Sequence, residues 1–260
     1  MTPCGIDSAR LMKTQSAVRV GWLGPSLPSS SHMRKLHELV PAGVDLIHEQ
    51  LLLHRGVLHD VQGKLDFIVE RAARFAEAQA LDGLIFPGAP REVLNPGLFA
   101  AFSAALKIPV ATALRASAAA LRAFGATRVL LLTPFDAALT GRIRDFLADL
   151  KITAASPSEV LRHYTDALRM TPNDVVAHAR RAMAERRAVD AVDGIDAIYF
   201  QGAVLDPMDC LEAMERELKV PVVASNPAML WHMLSSLGRK HPVTGYGQLL
   251  AAWPALPRDP

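Results

Sequence analysis

A chain of 260 residues that is half apolar and 21% charged is globular, long enough for one large domain or two smaller ones, and not mostly disordered. Its 28 Lys and Arg stand against 26 Asp and Glu for a net charge of +2, with basic residues scattered among acidic ones, which excludes a nucleic-acid stripe. Two distant cysteines, Cys4 and Cys210, make neither a disulfide framework nor a zinc ligand set, and no apolar run reaches the roughly 18 to 20 residues of a membrane span.

Residues 1–17 are polar and unpatterned, lack the apolar stretch of a signal peptide, and read as a poorly ordered leader on a cytoplasmic protein. A strand over 18–23 ends at a Pro- and Ser-rich loop, 24–31, whose serines offer caps to a helix over about 32–40. A second strand covers 44–53. Leu65, Ile68, Val69, Ala72, Ala73, Phe75 and Ala76 then give the 3, 4 spacing of an amphipathic helix over 64–79. Strand 82–86, the Pro87–Pro90 turn, a helix over 96–106, strand 108–111 and an Ala-rich helix over 113–124 follow. The second half runs strand 128–132, helix 136–150, strand 152–154, a loop to about 171, helix 172–188, strand 196–200, helix 207–218, strand 220–223 and helix 227–237. Pro172, Pro207 and Pro227 each fall in a first helical turn, where a missing N–H costs nothing.

Three segments of the first half recur in the second, in the same order. Asp82-Gly83-Leu84-Ile85-Phe86-Pro87-Gly88-Ala89 returns as Asp196-Ala197-Ile198-Tyr199-Phe200-Gln201-Gly202-Ala203, an offset of 196 − 82 = 114. Lys107-Ile108-Pro109-Val110 returns as Lys219-Val220-Pro221-Val222, and Leu23-Gly24-Pro25 as Leu132-Thr133-Pro134, at offsets of 219 − 107 = 112 and 132 − 23 = 109. The pattern predicts an α/β protein of two pseudo-symmetric Rossmann-like halves, 18–112 and 113–260, each a parallel sheet flanked by helices. Ligands of such sheets bind outside the C-terminal strand ends. The site is therefore expected in a cleft between the halves, where the Gly88 and Gly202 turns face each other.

The Pro25-Ser26 loop, Leu132-Thr133-Pro134-Phe135, the two recurring strands and Val222-Val223-Ala224-Ser225-Asn226-Pro227-Ala228-Met229-Leu230-Trp231 resemble the aspartate/glutamate racemase superfamily. Within it the chain is most similar to the maleate cis-trans isomerase and arylmalonate decarboxylase branch, over about residues 18–247. The resemblance implies a small mono- or dicarboxylate in the central cleft, no cofactor and no metal, an enolate-like intermediate, and helices 113–124 and 227–237 packed across onto the opposite half. It also suggests a homo-oligomer. The family's two cysteine positions fall at Gly88 and Gln201, its hydroxyl donors after the first position at Ala89 and Pro90, and its tyrosine after Thr-Pro at Phe135. Neither Cys4 nor Cys210 matches a family cysteine.

What remains for chemistry admits two readings at each position. Gln201 is a ligand-orienting amide or a strand-end residue satisfying its own loop, and Gly88 and Gly202 are turn glycines or points of close approach to a ligand. Ser225 and Asn226 are helix caps or the cradle of a carboxylate, as are Ser26 and Ser29, with Thr133 at the paired position. Asp206 is an acid/base replacement for the thiol or a cap before Pro207, and Arg91 a bidentate carboxylate partner or a solvated loop residue. Cys210 reads as a buried structural thiol, and His54, His59 and Asp60 match no compact metal motif. Nucleotide, serine-hydrolase and zinc-protease motifs are absent from the sequence. Two functions fit: a cysteine-independent decarboxylase or isomerase, and a non-catalytic sensor or carrier of a small carboxylate.

Overall fold

The computed structural model describes residues 17–25, 28–53, 58–158, 164–189 and 194–258. Residues 1–16 of the expected leader, Ser26, Cys4 and His54 lie outside them.

The first half runs β1 (Val18–Gly24), α1 (Ser31–Glu38), β2 (Val44–Gln50), α2 (Leu65–Ala78), β3 (Gly83–Phe86), α3 (Ala89–Val93), α4 (Leu98–Ala105), β4 (Val110–Thr112) and α5 (Ala113–Ala123). The second runs β5 (Arg128–Leu132), α6 (Ala137–Asp149), β6 (Thr153–Ala155), α7 (Pro172–Val189), β7 (Ala197–Phe200), α8 (Leu211–Leu218), β8 (Val222–Ala224), α9 (Ser225–Ser236) and α10 (Gly247–Ala252). Two sheets result, with strand orders β2-β1-β3-β4 and β6-β5-β7-β8, every pairing parallel.

One aspartate marks the repeat in three dimensions. Asp82 Oδ2 accepts from the Arg19 amide at 2.8 Å just before β3, and Asp196 Oδ2 accepts from the Arg128 amide at 2.8 Å just before β7. Each carboxylate thus fixes the start of its strand against the neighbouring one.

Alternation along the strands feeds three cores, because successive side chains leave opposite faces of a sheet. Leu23, Leu84 and Phe86 point outward to α2 and α4, with Ile68, Phe75 and Phe102. Leu130, Leu132, Ile198 and Phe200 point outward to α7 and α8, with Val175 and Met214. The inward residues Val20, Trp22, Ile85, Val129, Leu131 and Tyr199 meet between the sheets with Leu114, Met229, Trp231 and Met233. That shared core is built on α5 and α9, which pack on each other; α5 also touches β8, and α9 also touches β3 and β4. The chain enters α5 from β4 and α9 from β8, so each helix lies against the sheet of the other half.

Three local expectations are corrected. The Pro87–Pro90 turn is shorter than it reads, because Ala89 and Pro90 already belong to α3, where a proline at the helix start sacrifices no hydrogen bond. Ser225 and Asn226 are not caps: α9 begins at Ser225 after the extended Ala224, and no side chain caps it. The helix expected over 207–218 splits into a 3₁₀ turn, Met208–Cys210, and α8.

Candidate functional site

The C-terminal ends of β1, β3, β7 and β8 converge on a cavity of about 220 Å³. Trp22, Pro25, Pro87, Gly88, Pro90 and Arg91 line it from the first half; Phe135, Tyr164, Gln201 to Val204, Ser225, Asn226 and Met229 line it from the second. Leu58 and Val61, at the ends of a short 3₁₀ turn, close a further side. Gly88 and Gly202 sit at φ +96° and +116°, a backbone region that side-chain-bearing residues avoid. The matched turns therefore need glycine for their shape, and the same two residues line the cavity.

Arg91 is the one charged lining residue among those described. It is 3% exposed, against the expectation of a solvated loop. Its Nη1 donates to the carbonyls of Leu23 at 3.5 Å and Pro87 at 3.4 Å, its Nη2 to that of Leu51 at 3.2 Å, and its guanidinium lies 5.4 Å from the Phe86 ring centroid. These contacts tie together the chain leaving β1, β2 and β3. None is an ion pair, so among the described residues this buried cation rests on carbonyl dipoles and the Phe86 ring, and burial pulls its pKa down to about 10.

Gln201 is 1% exposed, its amide N–H donates to the Leu132 carbonyl at 2.9 Å, and its Oε1 accepts from the buried Tyr199 hydroxyl. It is therefore held by backbone and side chain together. Ser225 and Asn226 are each 5% exposed and form the first turn of α9, whose leading N–H groups have no intrahelical acceptor and no side-chain cap. A positive helix end thus meets the cavity beside them.

Phe135, Gly88 and Gly202 also line the cavity, whereas Ala89, Thr133 and Ser29 do not. Ala89 is fully buried, Thr133 Oγ1 accepts from the Phe135 amide at 3.3 Å, and Ser29 is exposed with its carbonyl taken by Arg34. Asp206 lies just beyond the lining, where its Oδ1 accepts from the Met208 amide at 3.0 Å and its Oδ2 is 3.4 Å from Lys35 Nζ. It caps the 3₁₀ turn and pairs across to α1. Cys210 also stays clear of the cavity: its thiol donates to the Pro207 carbonyl at 3.3 Å, and burial, with the Asp206 and Asp209 carboxylates, pushes it up to about 11. Among the described residues no cluster of His, Cys, Asp and Glu could hold a metal ion, and no helix is long and apolar enough to cross a membrane.

Sequence reasoning missed Trp22, Leu58, Val61, Tyr164 and Met229. Trp22 and Met229 read as ordinary core residues by periodicity. The others lie in segments with no periodic pattern, so only the fold places them.

A family model described as arylmalonate decarboxylase matches residues 73–250, from within α2 to α10. The chain belongs to the arylmalonate decarboxylase family. It is 26% identical over 233 residues to the arylmalonate decarboxylase of Bordetella bronchiseptica, covering 87% of this chain and 88% of that one. Its fold matches a liganded arylmalonate decarboxylase carrying Gly-to-Cys and Cys-to-Ser substitutions, with a TM-score of 0.73 and 22% identity over 90% of this chain and 99% of that one. It equally matches a Cys-to-Ser mutant of the Nocardia farcinica maleate cis-trans isomerase with a covalently bound succinylcysteine intermediate, at a TM-score of 0.72 and 20% identity over 90% and 98%. Among the described residues, no Cys, His, Asp, Glu or Lys contributes to the cavity wall.

Proposed function

We propose that the cavity binds a small mono- or dicarboxylate bearing an apolar substituent, and that the chain decarboxylates it through an enolate-like intermediate without a catalytic cysteine. The observation that carries this reading is Arg91, a buried guanidinium on the cavity wall with no carboxylate partner among the described residues. A buried cation without a counter-charge is costly, and a carboxylate ligand supplies one. The α9 N-terminus, Ser225 and the Gln201 amide add donors for negative charge, while Trp22, Leu58, Val61, Phe135 and Met229 favour an apolar substituent.

The lining favours decarboxylation over isomerisation or racemisation. The latter two need a nucleophile or base at the reacting carbon, and the described residues of this wall offer no Cys, His, Asp, Glu or Lys for it. Decarboxylation of a malonate-type dicarboxylate needs no such group: the C–C bond to one carboxylate breaks, its electron pair enters the remaining carboxylate as an enediolate, and carbon dioxide leaves. Water delivers a proton to the α-carbon, while its hydroxide combines with the carbon dioxide as bicarbonate. Donors aimed at the enediolate stabilise the charge as it develops, and an apolar surround destabilises the departing carboxylate.

A second reading rests on the same absence. With no ionisable acid or base lining the cavity among the described residues other than Tyr164 and Arg91, the site fits a carboxylate sensor or carrier. Thermal-shift screening with small mono- and dicarboxylates, followed by assays of each hit for carbon dioxide release, isomerisation and α-proton exchange in deuterated water, separates the two. Carbon dioxide release from a substituted malonate supports the enzyme. Stabilisation without turnover or exchange rejects it in favour of the binder, and a panel without a single hit rejects both.

A further inference from the structure

The residue that determines what Gln201 can do lies behind the cavity wall. Tyr199 and Gln201 are two residues apart at the end of β7, so both side chains leave the inner face of the sheet. Tyr199 is fully buried and its hydroxyl donates to Gln201 Oε1. An amide has one accepting end and one donating end, and which one faces a ligand depends on what holds the other. Here the accepting end is taken. The Nε2 end has no protein acceptor among the described residues, on a side chain that lines the cavity.

The surroundings of Tyr199 keep it a donor. Burial raises its pKa well above the ordinary tyrosine range, the Ser117 hydroxyl beside it lowers it less, and the Glu92 carboxyl raises it further. Ser117 Oγ is itself committed to the Ala113 carbonyl at 2.7 Å. The phenol therefore stays protonated, and the hydrogen bond it donates goes to Gln201 Oε1.

We propose that Tyr199 is a positioning residue that orients the Gln201 amide so that its N–H groups, and not its oxygen, meet the bound carboxylate. This rests on the carboxylate reading above and deepens it. Without the phenol hydroxyl the amide is free to turn, and its oxygen then repels an anion that its nitrogen would have bound. Tyr199 touches no ligand; it sets the sign of the dipole that Gln201 presents.

Titration calorimetry with phenylacetate and its neutral counterpart phenylacetamide tests this on the full-length wild type, Tyr199→Phe, Gln201→Met and the double variant, each checked for fold by circular dichroism. Tyr199→Phe is expected to weaken phenylacetate about tenfold and to change phenylacetamide little, since a turned amide can accept from the ligand's own N–H. In the Gln201→Met background Tyr199→Phe should add nothing further. An unchanged phenylacetate-to-phenylacetamide affinity ratio, or an equal loss in the Gln201→Met background, overturns the proposal. Side-chain amide NMR of Gln201 in the ligand-free protein supplies an independent arm. If the wild type binds no carboxylate yet the Gln201 amide resonances reorganise in Tyr199→Phe, the carboxylate reading falls while the positioning contact stands. Amide resonances that do not respond to Tyr199→Phe reject the positioning contact itself.

Discussion

Gly83 lies directly beneath Met233: a Cβ placed on this β3 glycine would collide with the Met233 sulfur of α9. The contact joins the helix that follows β8 to the sheet of the first half, so the seam between the halves depends on a residue with no side chain. Gly83 has no positive φ, and alanine fits its backbone conformation. Steric conflict is therefore the main cost of Gly83→Ala, about 1–3 kcal/mol, moderated because a thioether end can swing aside. In equilibrium urea unfolding, Gly83→Ala combined with Met233→Ala should cost about 1 kcal/mol less than the sum of the two single changes. Strict additivity would mean that the two residues do not meet.

Much of the architecture was legible because it is written twice. Asp82 and Asp196, and the turns at Gly88 and Gly202, stand out as repeats, and a repeat of βα units admits few topologies. The site was less legible because its decisive features join distant segments. Arg91 reads as a loop arginine until the ends of three strands deliver the carbonyls of Leu23, Leu51 and Pro87 to it. Ser225 and Asn226 have the composition of caps, yet α9 starts at Ser225 after an extended Ala224, two residues before the expected 227, and leaves both at the cavity. Tyr199 sits in an apolar strand and reads as core. Only the inner-face register it shares with Gln201 gives its hydroxyl a purpose.

Arg91→Lys keeps the positive charge but loses the planar fork, and should separate charge from geometry. If the guanidinium receives the ligand carboxylate, the lysine variant loses about tenfold or more in affinity for any carboxylate that the wild type binds. Arg91→Met should abolish the thermal shift that such a ligand produces. Lysine and wild type binding equally well would show that Arg91 only ties the strand ends together.

Cys210 should behave as a structural thiol. Its pKa near 11 and its burial leave little thiolate at pH 8, whereas an unfolded cysteine near 8.5 is substantially ionised. In a Cys4→Ser background, reaction with a disulfide reagent at pH 8 is expected to be at least about a hundredfold slower in the folded protein than in guanidinium. Cys210→Ala should retain full carboxylate binding. A loss of binding or turnover in that variant would restore a cysteine to the chemistry.

His48 makes the fold sensitive to mild acid. Burial, with His37 beside it, holds its pKa down to about 4; the two Nε2 atoms are 2.8 Å apart, and its Nδ1 is buried with no hydrogen-bond partner among the described residues. The unfolded chain takes up this proton near pH 6.5, so between about pH 6.5 and 4 the unfolded state binds more protons than the folded one. Stability from a neutral His48 is thus fully present above pH 6.5 and is lost as the pH falls toward 4. Discounted for the open side of the ring, the loss amounts to roughly 1 kcal/mol. Other groups titrate in the same range, so the decisive comparison is His48→Gln against wild type, with urea unfolding at pH 7.5 and at 4.5. The variant should lose about 1 kcal/mol less than wild type between the two conditions. Equal losses would show that His48 accepts a proton freely in the folded protein, and that the contact between α1 and β2 does not keep it neutral.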